Sequence, residues 1–476
     1  MTREAFVFTE REGGSTQYGV LGKVLSIHHK DRYESIDDKR LYLNTNAPFS
    51  AIVCGVQGMS YTLECAWKFA YKALGSGKSH TVSTMLENML ISGFSAIGSL
   101  TRPLAGLVLH YGTGGINSLP NETAWLSSSI SSFVNGPPVR VYVSKACLQT
   151  MRAIYEPLGD KVTIEPLLFQ NHELDAAAIL SMMAVGSAES APLYMQIILS
   201  ILRELGEQFT FPAFMTKMEI QKKNFNPAQI AGLEQRLSLL TSFLDTDPLA
   251  KKKKEKITPR PRFSAGQLTI IDLSDPFLDA ASACGLFEII VRLFIRADVQ
   301  TGKVLVVDEA HKYLSSDRSA TGLTKALLSL IRQQRHLGMR VIISTQEPTV
   351  VPPVLIDLCS VAILHRFSSP TWWQHLIQHV PTDFSNTDAF DKVVKLQTGH
   401  AIVLAPSALG MFKEPVPNDK AKKAATKPRP RDTRDVDKPK NLERFGRRYL
   451  IMKTRKRVTA DGGASVLVLG EEDTQQ

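Results

Sequence analysis

Four apolar residues, Val304 to Val307, run without a break into two carboxylates, Asp308 and Glu309. A run so short and so apolar is the form of a strand buried on both faces, and charges at its end must emerge from the sheet. The chain repeats this form. Ala51–Cys54, Leu107–His110, Val139–Val143, Val162–Phe169, Leu268–Leu273, Val341–Ser344, Val361–Leu364 and His400–Leu404 are all strand-like. Between many of them lie helical patterns, at Lys78–Leu90, Leu174–Met183, Leu193–Leu205, Ala228–Leu244, Leu286–Phe294 and Leu323–His336. Strands alternating with helices predict an α/β fold, a mainly parallel sheet flanked by helices.

Composition narrows the class. With 43% hydrophobic and 21% charged residues, a mainly disordered or collagen-like polymer is excluded. No apolar run approaches the roughly 18 residues of a membrane-spanning helix. No apolar stretch follows Met1–Ala5, so no secretory signal is expected. Five scattered cysteines form no C-x-x-C pair, which argues against a disulfide scaffold or a cysteine zinc site. An intracellular protein is expected, with nucleus or cytoplasm unresolved. The net charge of +10 is concentrated: residues 251–262 carry +6 and residues 420–457 carry +12, leaving −8 for the rest. Such basic runs suit solvated linkers and nuclear-localisation patches, or attraction to a phosphate backbone. Aromatics are sparse within them, so stacking on bases has little support.

The expected organisation is an N-terminal extension (1–44), a nucleotide-binding region (45–413), a Pro/Lys-rich linker (414–441) and a basic C-terminal tail (442–476). Within the second part, residues of about 174–262 read as a helical insert followed by a basic linker.

Ser76-Gly77-Lys78-Ser79 opens a helix, and Ala51–Gly55 is a buried strand upstream. A phosphate-binding loop needs G-x-x-x-x-G-K-[ST] between such a strand and such a helix. Its glycines let backbone N–H groups approach phosphate, its lysine supplies charge and its hydroxyl holds Mg²⁺. Read contiguously, the chain fails this test, because Lys72 stands where the first glycine belongs. Setting aside residues 59–75 restores it: Gly55-Val56-Gln57-Gly58-Ser76-Gly77-Lys78-Ser79, with His80 next. Codons for Gly58-Met59-Ser60 and for Leu74-Gly75 can carry a splice donor and an acceptor AG in frame. The segment therefore reads as a retained intron or a gene-model error, the other reading being a real insertion extruded from the loop.

Asp308 and Glu309 have the form of a Walker B pair. Asp308 would hold the Mg²⁺ shell and Glu309 would deprotonate the attacking water. Val341–Ser344 continues into Thr345 and Gln346, whose amide could sense the γ-phosphate or orient water. Transition-state charge calls for a further cation. Arg332, Arg335 and Arg340 cluster near the end of the preceding helix and Arg366 follows the next strand; Arg335 and Arg366 are the candidates for a finger reaching a neighbouring subunit. His311 stands beside Glu309, but no H-E-x-x-H spacing accompanies it, so zinc is not expected. Trp372 and Trp373 suit packing or an interface better than a base-stacking platform.

With residues 59–75 set aside, the chain resembles the HerA/FtsK superfamily of RecA-like motor ATPases. The resemblance extends over about residues 45–405. It rests on APFSAIVCGVQG followed by SGKSHTVSTMLENML, GQLTIIDLSDPFLDA, KVLVVDEAHKYL, RQQRHLGMRVIISTQEPTVVPPVLIDLCSVAILHRF and GHAIVLAP. It implies a RecA-like sheet, ATP with Mg²⁺, and a ring-shaped homo-oligomer, a hexamer, with sites at subunit junctions, in proteins that translocate or pump DNA. By motif position Lys78 and Ser79 match the phosphate and Mg²⁺ residues, Asp308 and Glu309 the Walker B pair and Gln346 the sensor. Arg335 sits where family members often carry an arginine. Residues 1–44 look too short for the N-terminal β-barrel of HerA helicases, so docking to a HerA-type nuclease is not implied. Two further readings stand beside the motor: a catalytically impaired pseudo-ATPase scaffold, and a nucleic-acid tether acting through the basic segments.

Overall fold

The computed structural model describes residues 7–8, 17–29, 32–56, 76–115, 118–183, 193–245, 261–314, 322–380, 388–413 and 440–462. Its strands are β1 (Tyr18–His29), β2 (Arg32–Asn44), β3 (Phe49–Cys54), β4 (Ala105–His110), β5 (Val139–Val143) and β6 (Val162–Pro166). They continue with β7 (Leu268–Asp272), β8 (Lys303–Val307), β9 (Met339–Thr345), β10 (Val361–Leu364), β11 (His400–Leu404) and β12 (Tyr449–Thr454). In space the order is β2-β1-β12-β11-β10-β3-β9-β8-β4-β7-β5-β6. From β10 to β6 every pairing is parallel. Shorter strands at Val7–Phe8, Leu409–Lys413 and Lys440–Arg444 lengthen the β2 edge. The fold is α/β, a mainly parallel sheet flanked by helices.

Parallel strands need crossovers, and the crossovers cover both faces. The helices include α1 (Lys78–Leu90), α2 (Leu148–Tyr155), α3 (Ala176–Met183), α4 (Leu193–Leu205), α5 (Phe211–Gln221), α6 (Pro227–Ser242), α7 (Ala280–Arg296) and α8 (Gly322–Leu337), with three further ones at Pro353–Asp357, Pro370–His379 and Asp388–Val394. Alternate residues of each central strand belong to two separate cores, as the two-residue period of a strand requires. Leu305, Val307, Ile343 and Ile52 pack in a cluster with Phe287 of α7, Leu327 of α8 and Met182, Ile198, Phe214 and Leu237 of the helical insert. Val304, Val306, Ile342 and Val53 pack in the other with Val82, Met85 and Met89 of α1 and Met151 of α2. The insert is α3 to α6, and its turns are capped locally. Thr210 caps α5, while Asn226 and Gln229 form a reciprocal cap at α6, where Pro227 takes the position that needs no N–H donor.

Two segments that composition set apart are woven into this sheet. Strand β12, inside the expected basic tail, pairs antiparallel with β11 on one side and β1 on the other. Through it the β1–β2 hairpin, inside the expected N-terminal extension, joins the same sheet. The apolar core of β12, Tyr449 to Met452, is short enough to be hidden by the surrounding lysines and arginines when charge is averaged over a window. Most of the expected linker, residues 414–439, lies outside the described residues, as do residues 57–75 and the basic run 251–260. Among the described residues no helix is long and apolar enough to cross a membrane.

Candidate active site at the carboxyl edge of the sheet

Helix α1 begins directly after Gly77, whose φ of 96° is left-handed. A side chain there would be strained, and its Cβ would lie 3.1 Å from Gly399. Gly55, at the end of β3, is equally constrained, because a Cβ would stand 2.5 Å from Ser76 Oγ and 2.7 Å from His365 Cβ. The ends of the loop therefore fold against one another. Ser76 N donates to the Val56 carbonyl at 3.4 Å, and Val56 N donates to the Arg366 carbonyl at 3.2 Å. Gly58 lies outside the described residues.

Strand β9 lies between β3 and β8, which sets what Lys78 can touch. Its ammonium, 4% exposed, donates to Glu309 Oε1 at 2.6 Å and to Ser344 Oγ at 3.0 Å. Burial alone would push the Lys78 pKa down, but Asp308 and Glu309 outweigh it and the pKa is raised. On the acidic side, burial works against the charge of Glu309, and Lys78 beside it wins; its pKa is lowered. Asp308 is held well below the ordinary carboxylate range, against its burial, by hydrogen bonding from His110 and by the Lys78 charge. Both carboxylates are thus ionised across the neutral range.

Glu309 adopts a left-handed backbone (φ 50°), the one non-glycine residue to do so among the described residues. Such a conformation costs on the order of 1 kcal/mol or more outside glycine. It turns the carboxylate back over the strand ends, where Gln346 Nε2 donates to its Oε2 at 2.5 Å. His311 Nε2 lies 3.5 Å from the same oxygen. Its Nδ1 accepts from Gln346 N at 3.4 Å, and burial lowers its pKa, so the ring is neutral at pH 7.

Asp308 faces the other way along the edge. His110 Nδ1, at the end of β4, lies 3.2 Å from its Oδ2, and Asn121 Nδ2 donates to the same oxygen at 3.2 Å. Asn121 N in turn donates to the Tyr155 hydroxyl at 3.0 Å, and that hydroxyl donates to Asp272 Oδ2 at 2.6 Å. These partners were not visible as site residues in the sequence. His110, Ser344 and Asp272 end apolar strands as Asp308 does, and only the strand order shows which of those ends meet.

The candidate residues separate into groups. The structure brings Ser76, Gly77, Lys78, Asp308, Glu309 and Gln346 together, with Ser79 in the first turn of α1. Buried Ser76 Oγ has no hydrogen-bond partner among the described residues, as suits a group that faces a ligand. The His80 ring is engaged elsewhere, its Nε2 donating to the Arg455 carbonyl at 2.8 Å and its Nδ1 lying 3.2 Å from Asp461. Its side chain therefore faces the C-terminal segment and not the loop. Arg335 is exposed near the end of α8, before β9 begins, so it lies at the amino edge of the sheet, opposite the site in its own chain. Arg366 follows β10 on the site's edge. Arg340 is buried and holds backbone carbonyls of Gly338, Thr45 and Asn46, which removes it from the arginine cluster. Trp373 is buried against Phe390 and Trp372 packs on Phe367, so the tryptophan pair serves packing.

No protein-family model matches the chain, and no curated protein matches it. Solved structures do. The genome packaging NTPase B204 from Sulfolobus turreted icosahedral virus 2, in complex with ATP-gammaS, is 19% identical over 29% of this chain and 61% of its own, with a TM-score of 0.22. The chain thus spans about three fifths of that protein's length. VirB4 of Thermoanaerobacter pseudethanolicus is 12% identical over 83% of this chain and 94% of its own, with a TM-score of 0.42. At such identities and TM-scores neither likeness assigns a family or a role, and the reading of the residues rests on the geometry above.

Proposed function

We propose that this protein binds ATP at the carboxyl edge of its sheet and hydrolyses it with Mg²⁺, as a member of the HerA/FtsK superfamily. The observation that carries the reading is the convergence of Lys78, Glu309, Ser344 and Gln346 from three neighbouring strand ends. Lys78 neutralises phosphate charge, and Ser76 and Gly77 present the loop to it. Ser79 and Asp308 are the donors that would hold Mg²⁺, which would neutralise phosphoryl oxygens when bound. The set fits a hard cation, since Asp308 is ionised and positioned by His110 and Asn121. Glu309 takes the proton of the attacking water, and Gln346 orients both. Phosphate would compete with Glu309 for Lys78, which would loosen the hydrogen bond that now holds the base.

ATP turnover of Glu309→Gln tests this. Activity should fall by about a hundredfold or more while ATP affinity is kept; turnover equal to the parent's would overturn the reading. A parent that binds ATP without turning it over would favour the pseudo-ATPase scaffold.

The loop interruption belongs to the same reading. Setting residues 59–75 aside would leave Val56-Gln57-Gly58-Ser76, and the residues this would bring close in sequence are already in contact, Ser76 N donating to the Val56 carbonyl at 3.4 Å. Sequencing spliced transcript across codons 55–80 tests the retained-intron origin, which falls if mature message always encodes residues 59–75. DNA as the translocated polymer and a hexameric ring, with Arg335 or Arg366 serving a neighbour's nucleotide, are the finer parts of the proposal. The exposure of Arg335 and the two basic segments support them. DNA-stimulated turnover and mass in solution test them.

A further inference from the structure

Helix α1 carries a second polar stripe that the nucleotide reading does not use. His80, Thr81, Thr84, Glu87 and Asn88 share one face, at the spacing of successive helical turns. Glu87 is fully buried there, an expensive place for a carboxylate unless it is paired. Its Oε1 accepts from Val458 N at 3.0 Å, Thr459 N at 2.9 Å and Thr459 Oγ1 at 2.6 Å, and its Oε2 accepts from Arg455 at 2.6 Å. Every one of these donors comes from the segment after β12.

The same segment continues around the site. Arg455 also donates to the Val20 carbonyl of β1 at 2.7 Å and to Asn88 Oδ1 at 2.9 Å. Thr81 and Thr454 share a hydroxyl contact of 2.9 Å. Beyond Glu87, buried Arg457 donates to Glu122 Oε1 at 3.3 Å. Glu122 adjoins Asn121, the residue that donates to Asp308. Ala460 N completes the fastening at the Ser128 carbonyl, 2.7 Å away.

We propose that residues 455–461 form a strap that sets the phosphate-loop helix against the Asp308 end of the site, with Glu87, Arg457 and Thr459 as positioning residues for phosphate binding. The strap touches α1 at its first turn through His80 and at its last through Glu87. It touches the carboxylate side through Glu122 and Asn121. A helix held at both ends keeps Lys78 and Ser79 aimed at the strand ends, and that aim governs affinity for triphosphate more than it governs the chemical step. The role rests on the nucleotide reading above.

The test uses the full-length chain. Removing the Glu87 charge would leave buried arginines unpaired and could unfold the protein, so the variants are Thr459→Val and Arg457→Lys, each first shown to melt cooperatively. Turnover against ATP concentration and amide exchange over Lys78–Leu90 are then measured. The strap predicts a KM raised about tenfold with kcat within about twofold, and faster exchange in α1 with none gained in β8. Arg457→Ala should exceed Arg457→Lys. Variants that only melt lower, with KM and exchange as in the parent, overturn the strap. A parent that binds no ATP is a failure of the nucleotide reading; the strap is then judged by exchange alone, and unchanged exchange overturns it as well.

Discussion

His365 sits fully buried under the loop, between Gly55 and Gly77, and donates Nδ1–H to the His400 carbonyl at 3.0 Å. Burial lowers its pKa from 6.5 to about 4. The unfolded chain takes up a proton near 6.5 that the folded ring refuses until about 4, so stability falls as pH drops through that window and no further below it. The full loss is about 3 kcal/mol. Denaturant unfolding at pH 7 and pH 4.5 checks this: a His365→Gln variant should lose distinctly less over that interval than the parent. Glu309 and Asp308 act at lower pH. Both are lowered, so their contribution is present above the ordinary carboxylate pKa and disappears as acid protonates them in the folded state.

Elements transmit these local demands. Strand β9 is anchored at its start by Arg340, whose guanidinium bonds Thr45 and Asn46 in the turn between β2 and β3. Arg340→Ala removes the donors from these carbonyls and should cost about 2–3 kcal/mol in chemical denaturation. Its ATP affinity should match the parent's, since the residue stands at the far end of the strand from Gln346. The central strands were legible in the sequence because burial on both faces leaves unbroken apolar runs. The strand-end position of Asp308 and Glu309 was legible because a charge at the end of such a run has one place to go. Hairpin β1–β2 and strand β12 were not, since antiparallel strands toward a sheet edge can carry charge, and β12 sits in a stretch dominated by lysine and arginine. Asn121 and Ser344 acquire their roles only through neighbours distant in sequence.

At the scale of the whole molecule, the segment after residue 441 is a structural part and not an appendage. Ending the chain at Val416 would remove the strand between β11 and β1 and the Arg455, Val458 and Thr459 donors that hold Glu87. Such a protein should be insoluble or lack a cooperative melt, as circular dichroism or a soluble-fraction assay would show. A basic tail that served only as a tether would be dispensable for folding.

The placement of β12 also bears on how the protein comes into being. Gly22 pairs with Thr454, so the first hairpin, although it packs on α1, cannot be joined to the sheet at β11 until the strand from the opposite end of the described chain has been made. Contacts between such remote partners form slowly, and until they form the edges of β1 and β11 stay open to other chains. Newborn copies of this protein should therefore depend on chaperones late in synthesis, when nearly all of the sheet is already built and only its keystone is missing.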